Sequence, residues 1–207
     1  KFITQDYNAS ATGLPVVRVY LTASSPATWT KPAGLKYVVV EVQAGGGAGG
    51  IGGGNANDRG SGGGAGGYSK KTIAVATLGA TETVTIGAAA GNSSFGAHAT
   101  TTGGSAGVNA TSGIILGGAG GAGASGDINV TGNYGWNAVT YDAAVFTSGR
   151  GAESKFGQGG REVTSNSAGN AAVGYGSGGG GGWGSAGNPV AAGAGAPGIV
   201  IVTEYYS

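Results

Sequence analysis

The sequence predicts an all-β fold: a small β-sandwich packed with a bundle of glycine-rich, polyproline II-type segments, with very little helix. Three observations predict it. Glycine fills 50 of 207 positions, against a usual share of about 7%. Short runs rich in Val, Ile and Thr alternate with the glycine instead of being diluted by it. No segment carries the apolar stripe of an amphipathic helix.

The strands are read in chain order from β-branched enrichment and length. The first are 16–21 and 35–42, the latter LKYVVVEV. Runs 72–76 and 81–86 follow, with Gly79 and Ala80 between them as in a hairpin turn. In 81–86 Val84 and Ile86 alternate with threonines, the pattern of a half-exposed strand. Shorter runs lie at 114–116 and 128–130, and the last is 198–206, GIVIVTEYY. Segments 38–42 and 199–202 are apolar on both faces and are expected to be central strands covered twice.

Five glycine blocks lie between these runs, at 45–54, 60–67, 117–126, 176–187 and 193–198, and their other residues are almost all Ala or Ser. Glycine costs about 0.5–1 kcal/mol more than alanine to order. Over fifty residues that is on the order of 25–50 kcal/mol, several times a net stability of about 5–15 kcal/mol. Such a cost persists only where the fold needs the missing side chain. Polyproline II segments have no internal hydrogen bonds. Glycine on every side lets neighbouring segments approach to backbone contact and pair laterally, which satisfies their N–H and C=O groups. The blocks are therefore expected to form a core.

Composition excludes several classes. Without cysteine, no disulfide framework or thiolate metal site is available. Charged residues are 9%, ten basic and nine acidic and scattered, so no basic footprint for nucleic acid exists. No apolar run reaches the length of a membrane-spanning helix. The chain opens at Lys1 and contains no methionine; it is expected to be a piece of a longer protein, with an extended region upstream.

The order of motifs carries a resemblance. Residues 27–50, ATWTKPAGLKYVVVEVQAGGGAGG, place an aromatic-Thr-x-Pro-Ala-Gly turn before a strand and a glycine block. Residues 66–86, GGYSKKTIAVATLGATETVTI, continue with glycine block, Tyr, strand, turn and strand; 126–130 (GDINV) and 193–203 (GAGAPGIVIVT) follow in order. Together they resemble the glycine-rich C-terminal (tip) domain of bacteriophage tail fibre proteins, over about residues 14–207. Residues 1–13 match nothing in it and are read as a connector or the end of an upstream shaft. The resemblance implies an adhesin at the distal end of a fibre on the virion, and a homotrimer. Its partners would be the rest of the fibre and a bacterial surface receptor: lipopolysaccharide, capsule or an outer-membrane protein.

Catalytic motifs are poor. His98 is the only histidine and has no paired ligand. Residues 103–107 (GGSAG) fit G-x-S-x-G formally, but threonines precede and a loop follows where strand and helix are required. Asp58, Asp127 and Asp142 are too dispersed for a calcium loop. No cofactor, metal or catalytic residue is expected. Four N-x-[ST] sequons begin at Asn8, Asn92, Asn109 and Asn129; they carry meaning only in a eukaryotic secretory pathway.

Aromatic residues inside loops are the positive signal. Segment 133–148, NYGWNAVTYDAAVFTS, is a long insertion poor in glycine between two glycine-containing stretches and holds Tyr134, Trp136, Asn137, Tyr141 and Phe146. Trp183 stands alone within GGGGGWGSAG, and Asn57, Asp58 and Arg59 interrupt the first two blocks. Loops on a rigid scaffold commonly bind, and Tyr and Trp dominate binding hot spots. These nine residues are the candidate receptor contacts. The bland alternatives are that Trp183 plugs the bundle, that 55–59 is a solvated turn, and that 133–148 packs on its own scaffold. Trp29 is expected to pack at the start of its strand. The expected function is non-covalent attachment without turnover. A structural cap that trimerises the fibre is the alternative, and a polysaccharide depolymerase a remote one, because no paired carboxylates stand on repeated rungs.

Overall fold

The structure is a computed structural model that describes residues 3–4, 14–21, 26–55, 58–109, 113–141 and 145–206, with the backbone alone for 3–4, 140–141 and 145–146. Among the described residues sixteen strands follow in chain order: β1 (Ile3–Thr4), β2 (Val16–Tyr20), β3 (Ala27–Thr30), β4 (Leu35–Gln43), β5 (Tyr68–Ala74), β6 (Thr81–Thr85), β7 (Ser93–Phe95) and β8 (Ala99–Thr101). Then come β9 (Ile114–Ile115), β10 (Gly123–Ala124), β11 (Ile128–Val130), β12 (Ala138–Tyr141), β13 (Val145–Thr147), β14 (Phe156–Gln158), β15 (Val173–Tyr175) and β16 (Ile199–Tyr206). The helical content among the described residues is one 3₁₀ turn, Val75–Thr77. The all-β expectation holds.

Two antiparallel sheets form the sandwich, ordered β1-β2-β16-β4-β5-β11 and β10-β8-β7-β6-β3. Between them lies one apolar core. It joins Trp29, Val38, Val40, Val42, Ile73, Val84, Phe95, Val200 and Val202, with Trp29 edge-on to Phe95 at 5.5 Å between ring centres. Trp29 packs at the start of its strand as expected. Val84 and Ile86 are buried while Thr81 and Thr83 are exposed, as their alternation required.

Two expectations need correction. Runs 72–76 and 81–86 are not a hairpin: β5 pairs with β4, and β6 pairs with β3. The 3₁₀ turn at Val75–Thr77 carries the chain from one sheet to the other, so the segment around Gly79 joins two layers. Strands β4 and β16 are central, but their outer face is only partly covered. Val39 and Ile201 are half-buried and Val17 on β2 is exposed. A run apolar on both faces reports position within a sheet, not the presence of a second layer.

The glycine blocks continue the sandwich. Strands β4 and β5 are antiparallel neighbours, and the segments that extend them, 44–50 and 60–67, remain so: Ala44, Gly47 and Gly50 N–H donate to Gly67, Gly64 and Ser61 C=O. Only the period changes. A strand meets one neighbour every second residue, whereas these segments meet the same neighbour every third, the step of a three-residue helix. The N–H groups of Gly60, Gly63 and Gly66 donate to Gly182, Gly179 and Gly176; those of Ser61, Gly64 and Gly67 to Val108, Ser105 and Thr102; and those of Gly62 and Ala65 to Trp136 and Asn133. All eight bonds are 2.8–3.0 Å.

The carbonyls of the same segment are also satisfied. Gly62 and Ala65 C=O accept from Gly118 and Gly121, Gly60 and Gly63 C=O from Gly149 and Ala152, and Gly66 C=O from the Gln43 side-chain amide at 2.8 Å. Segment 60–67 is thus surrounded by six others and leaves no backbone group open. Segment 176–182 is a second hub, bonded to 47–50, 149–152, 170, 60–66, 160 and 193–197. Side chains cannot enter such a lattice. A Cβ on Gly62 would lie 1.8 Å from the Arg150 carbonyl oxygen, and one on Gly181 1.9 Å from that of Gly60. The three-residue hydrogen-bond period is what the polyproline II-type expectation required.

Candidate functional site

Segment 131–137 lies on the flank of this lattice. Gly132 and Gly135 N–H donate to Gly121 and Gly118 C=O, while Asn133 and Trp136 C=O accept from Ala65 and Gly62. Trp136 N–H also donates to Arg150 C=O at 2.9 Å. Gly132, Gly135 and Ala138 recur at the helical step and turn inward; a Cβ on Gly135 would lie 2.0 Å from Gly62 C=O, and Ala138 is buried. Tyr134 and Trp136 fall off that register and face outward, 69% and 67% exposed. The two rings are displayed by a backbone bonded on several sides.

Two clefts flank this segment. The smaller, about 280 Å³, is lined by Trp136, Asn137, Thr147, Ser148, Arg150 and Glu162. The larger, about 550 Å³, has Ile128, Val130, Tyr68, Lys70, Lys155 and Glu153 among its walls. Beside it Lys155 Nζ donates to Glu41 and to Tyr68 Oη and sits 4.1 Å above the Tyr68 ring. Burial works to raise the Glu41 carboxyl, but the hydrogen bonds from Lys155 and Tyr68 outweigh it and hold the group below its usual range. Burial also pushes the Tyr68 hydroxyl up, and Glu41 adds to that. Among the described residues no three His, Asp or Glu side chains gather as a metal site would require.

A family model described as "Glycine-rich domain" matches residues 22–205. The chain belongs to that family. No curated protein matches the chain significantly.

The remaining candidates of this glycine-rich domain fall in different places. Asn137 lies at the small cleft beside Trp136, and its Oδ1 accepts from Gly117 N–H at 3.0 Å, which leaves its NH₂ outward-capable. Tyr141 and Phe146 sit on paired strands, β12 and β13, with register Tyr141 to Val145 and Thr140 to Phe146; their side chains lie outside the described residues, as does all of Asn57. Asp58 and Arg59 are buried. The Asp58 carboxylate accepts from Asn55 N–H and Nδ2 at 3.1 and 3.0 Å. Desolvation lowers the Arg59 guanidinium, opposed by Asp58. That guanidinium stands 4.3 Å over the half-buried Trp183 ring, and Trp183 exchanges two backbone hydrogen bonds with Ser167. Arg59 and Trp183 thus face each other and Asp58 is turned to Asn55.

Sequence reasoning did not single out Arg150, Glu162, Thr147 or Ser148. Their partner Trp136 is adjacent only through the lattice. One local signal was available: the Gly-x-x-Gly-x-x-Ala spacing at 132–138 marks a bundle segment, not a free loop. Three of the sequon asparagines are structural too, while Asn8 lies outside the described residues. Asn92, Asn109 and Asn129 Oδ1 accept from Gly103, Ile51 and Gly126 N–H, standing in for backbone carbonyls where segments end.

Proposed function

We propose that this domain is the receptor-binding tip of a bacteriophage tail fibre, an adhesin that attaches the virion to a bacterial surface without chemical turnover. The observation that carries the reading is the display of Tyr134 and Trp136: large aromatic faces left in solvent while their own backbone is locked into the lattice. Exposed aromatics on a pre-organised backbone lose little entropy on binding. The ordered match of turn, strand and glycine block to the tips of tail fibres supplies the setting. The partners are then lipopolysaccharide, capsule or an outer-membrane protein on the cell, and the rest of the fibre. In a homotrimer, three weak sites gain avidity through effective concentration. The test is to incubate the purified domain with host cells. It should decorate them and compete with phage adsorption, and failure in both removes the reading.

One observation favours a structural cap instead: the partly covered outer sheet face, where exposed Val17 joins the stacked rings of Tyr37 and Tyr205 at 4.5 Å. Tyr134→Ala with Trp136→Ala separates the two. Unchanged adsorption by a folded double variant favours the cap.

A further inference from the structure

Segments 133–137 and 148–155 run side by side, with Trp136 N–H bonded to Arg150 C=O and Asn133 Nδ2 to Glu153 C=O at 3.1 Å. They are the common wall of both clefts. Arg150 lines the smaller and Glu153 the larger, and the two side chains meet in an ion pair at 2.6 Å. The clefts are therefore neighbours across one salt bridge, offset by the three residues from 133 to 136, about 9 Å at the rise of such a segment. The wall of each also contains an unsatisfied polar atom. Gln43 Oε1, on a residue lining the larger, and Arg150 Nε, on a residue lining the smaller, are both buried and have no hydrogen-bond partner among the described residues. One is an acceptor and the other a donor.

We infer that the two clefts form one elongated site for a linear oligosaccharide, with a sugar ring against Trp136 and the chain continuing over Arg150–Glu153 to the wall of Ile128 and Val130. This rests on the attachment reading and names its ligand class. A sugar hydroxyl both donates and accepts, so one functional group suits the mixed donors and acceptors that line the two clefts, Asn137 and Glu162 in the smaller and Lys70 and Asn133 in the larger. A pyranose also has the apolar C–H face that Trp136, Ile128 and Val130 offer to meet. Charge points to a largely neutral chain, because Arg150 is paired with Glu153 and Lys155 with Glu41, and the two remaining lining charges, Lys70 and Glu162, are opposite in sign. Two small concave clefts suit a thin polymer better than the broad surface, about 800 Å² per partner, that a standard protein interface needs.

The experiment exposes the whole chain to an array of oligosaccharides cut from bacterial lipopolysaccharides and capsules, in disaccharide and longer forms, alongside intact cells. Longer chains should bind about tenfold more tightly than disaccharides of the same repeat, and Trp136→Ala should weaken both by about tenfold or more. Ile128→Ser with Val130→Ser should weaken only the longer chains. All three positions are at least half exposed or nearly so, and equal thermal midpoints confirm folding. Quenching of tryptophan emission in the unaltered chain gives a readout that needs no variant. Equal binding of short and long chains overturns the two-cleft site. Binding to cells with no response on the array overturns the glycan and points to a surface protein, with attachment intact. Loss of both removes attachment as well.

Discussion

Glu204 shows how a single buried carboxylate can clasp this fold. It is fully buried on β16, and its Oε1 accepts from Arg18 Nε on β2 at 2.5 Å and from Trp29 Nε1 on β3 at 2.7 Å. Its Oε2 accepts from Tyr206 Oη at 2.7 Å. One side chain thus ties both sheets and the final strand together. Glu204→Ala strands a guanidinium, an indole N–H and a phenol at once, and should cost about 3 kcal/mol or more in denaturant unfolding, since breaking a buried pair leaves an uncompensated charge. Burial pushes the hydroxyls of Tyr20 and Tyr206, which flank this cluster, up to about 12. Their folded values lie above the ordinary one near 10, so the folded chain holds these protons more tightly. The stability they contribute is complete below about pH 10 and is lost as pH rises from there towards 12. Tyrosinate absorbance should show late-titrating groups, Tyr20 and Tyr206 among them, and the midpoint of unfolding should fall across the same window.

At the scale of the element, glycine segments are held by backbone alone, and they respond to methyl groups as a core does. Gly62→Ala forces a Cβ to 1.8 Å from a carbonyl oxygen and should cost about 3 kcal/mol or more, at the upper end of overpacking. Gly54→Ala is the control: the nearest foreign atom to its Cβ is Pro189 Cδ at 3.8 Å, and the substitution should change stability by no more than about 1 kcal/mol. A thermal melt of the pair reads the difference. Hydrogen exchange offers a second check. Gly62, Gly63 and Gly64 belong to no strand, yet their N–H groups are bonded inside the lattice. Their exchange should be as slow as that of β4 amides, and fast exchange would show that the bundle opens locally.

For the whole molecule, stability and the proposed recognition fall on different residues. The lattice and the sandwich core hold the fold, whereas Tyr134 and Trp136 contribute little to it because they are mostly in solvent. Replacing both by Ala should shift stability by no more than about 0.5 kcal/mol while removing adhesion to cells, a split that melting and cell-binding assays read independently. Tyr134 and Trp136 are candidates from sequence because aromatic residues in loops on a rigid scaffold commonly bind. Trp183 and Arg59 are candidates beside them, with a plug of the bundle and a solvated turn as the alternatives; Arg59 is buried and its guanidinium stands over the half-buried Trp183 ring. Nothing local separates the two pairs. The difference is whether a segment lies at the flank of the bundle, like 131–137, or crosses its hub region, like 176–183.

The sequence by itself determined that the chain is all-β and that its glycine is structural, because alternation with β-branched runs and the entropy of ordering fifty glycines leave no cheaper explanation. It also determined the positions of the main strands through their apolar content. Only the tertiary structure decided which segments surround which. Glycine has no side chain to specify a neighbour, so the six partners of segment 60–67 follow from where the sandwich strands launch each segment. The 3₁₀ turn at Val75–Thr77, not the lattice, placed β5 and β6 in different sheets. The lattice made Arg150 and Glu162 the companions of Trp136, since that relation runs through backbone contacts made across it.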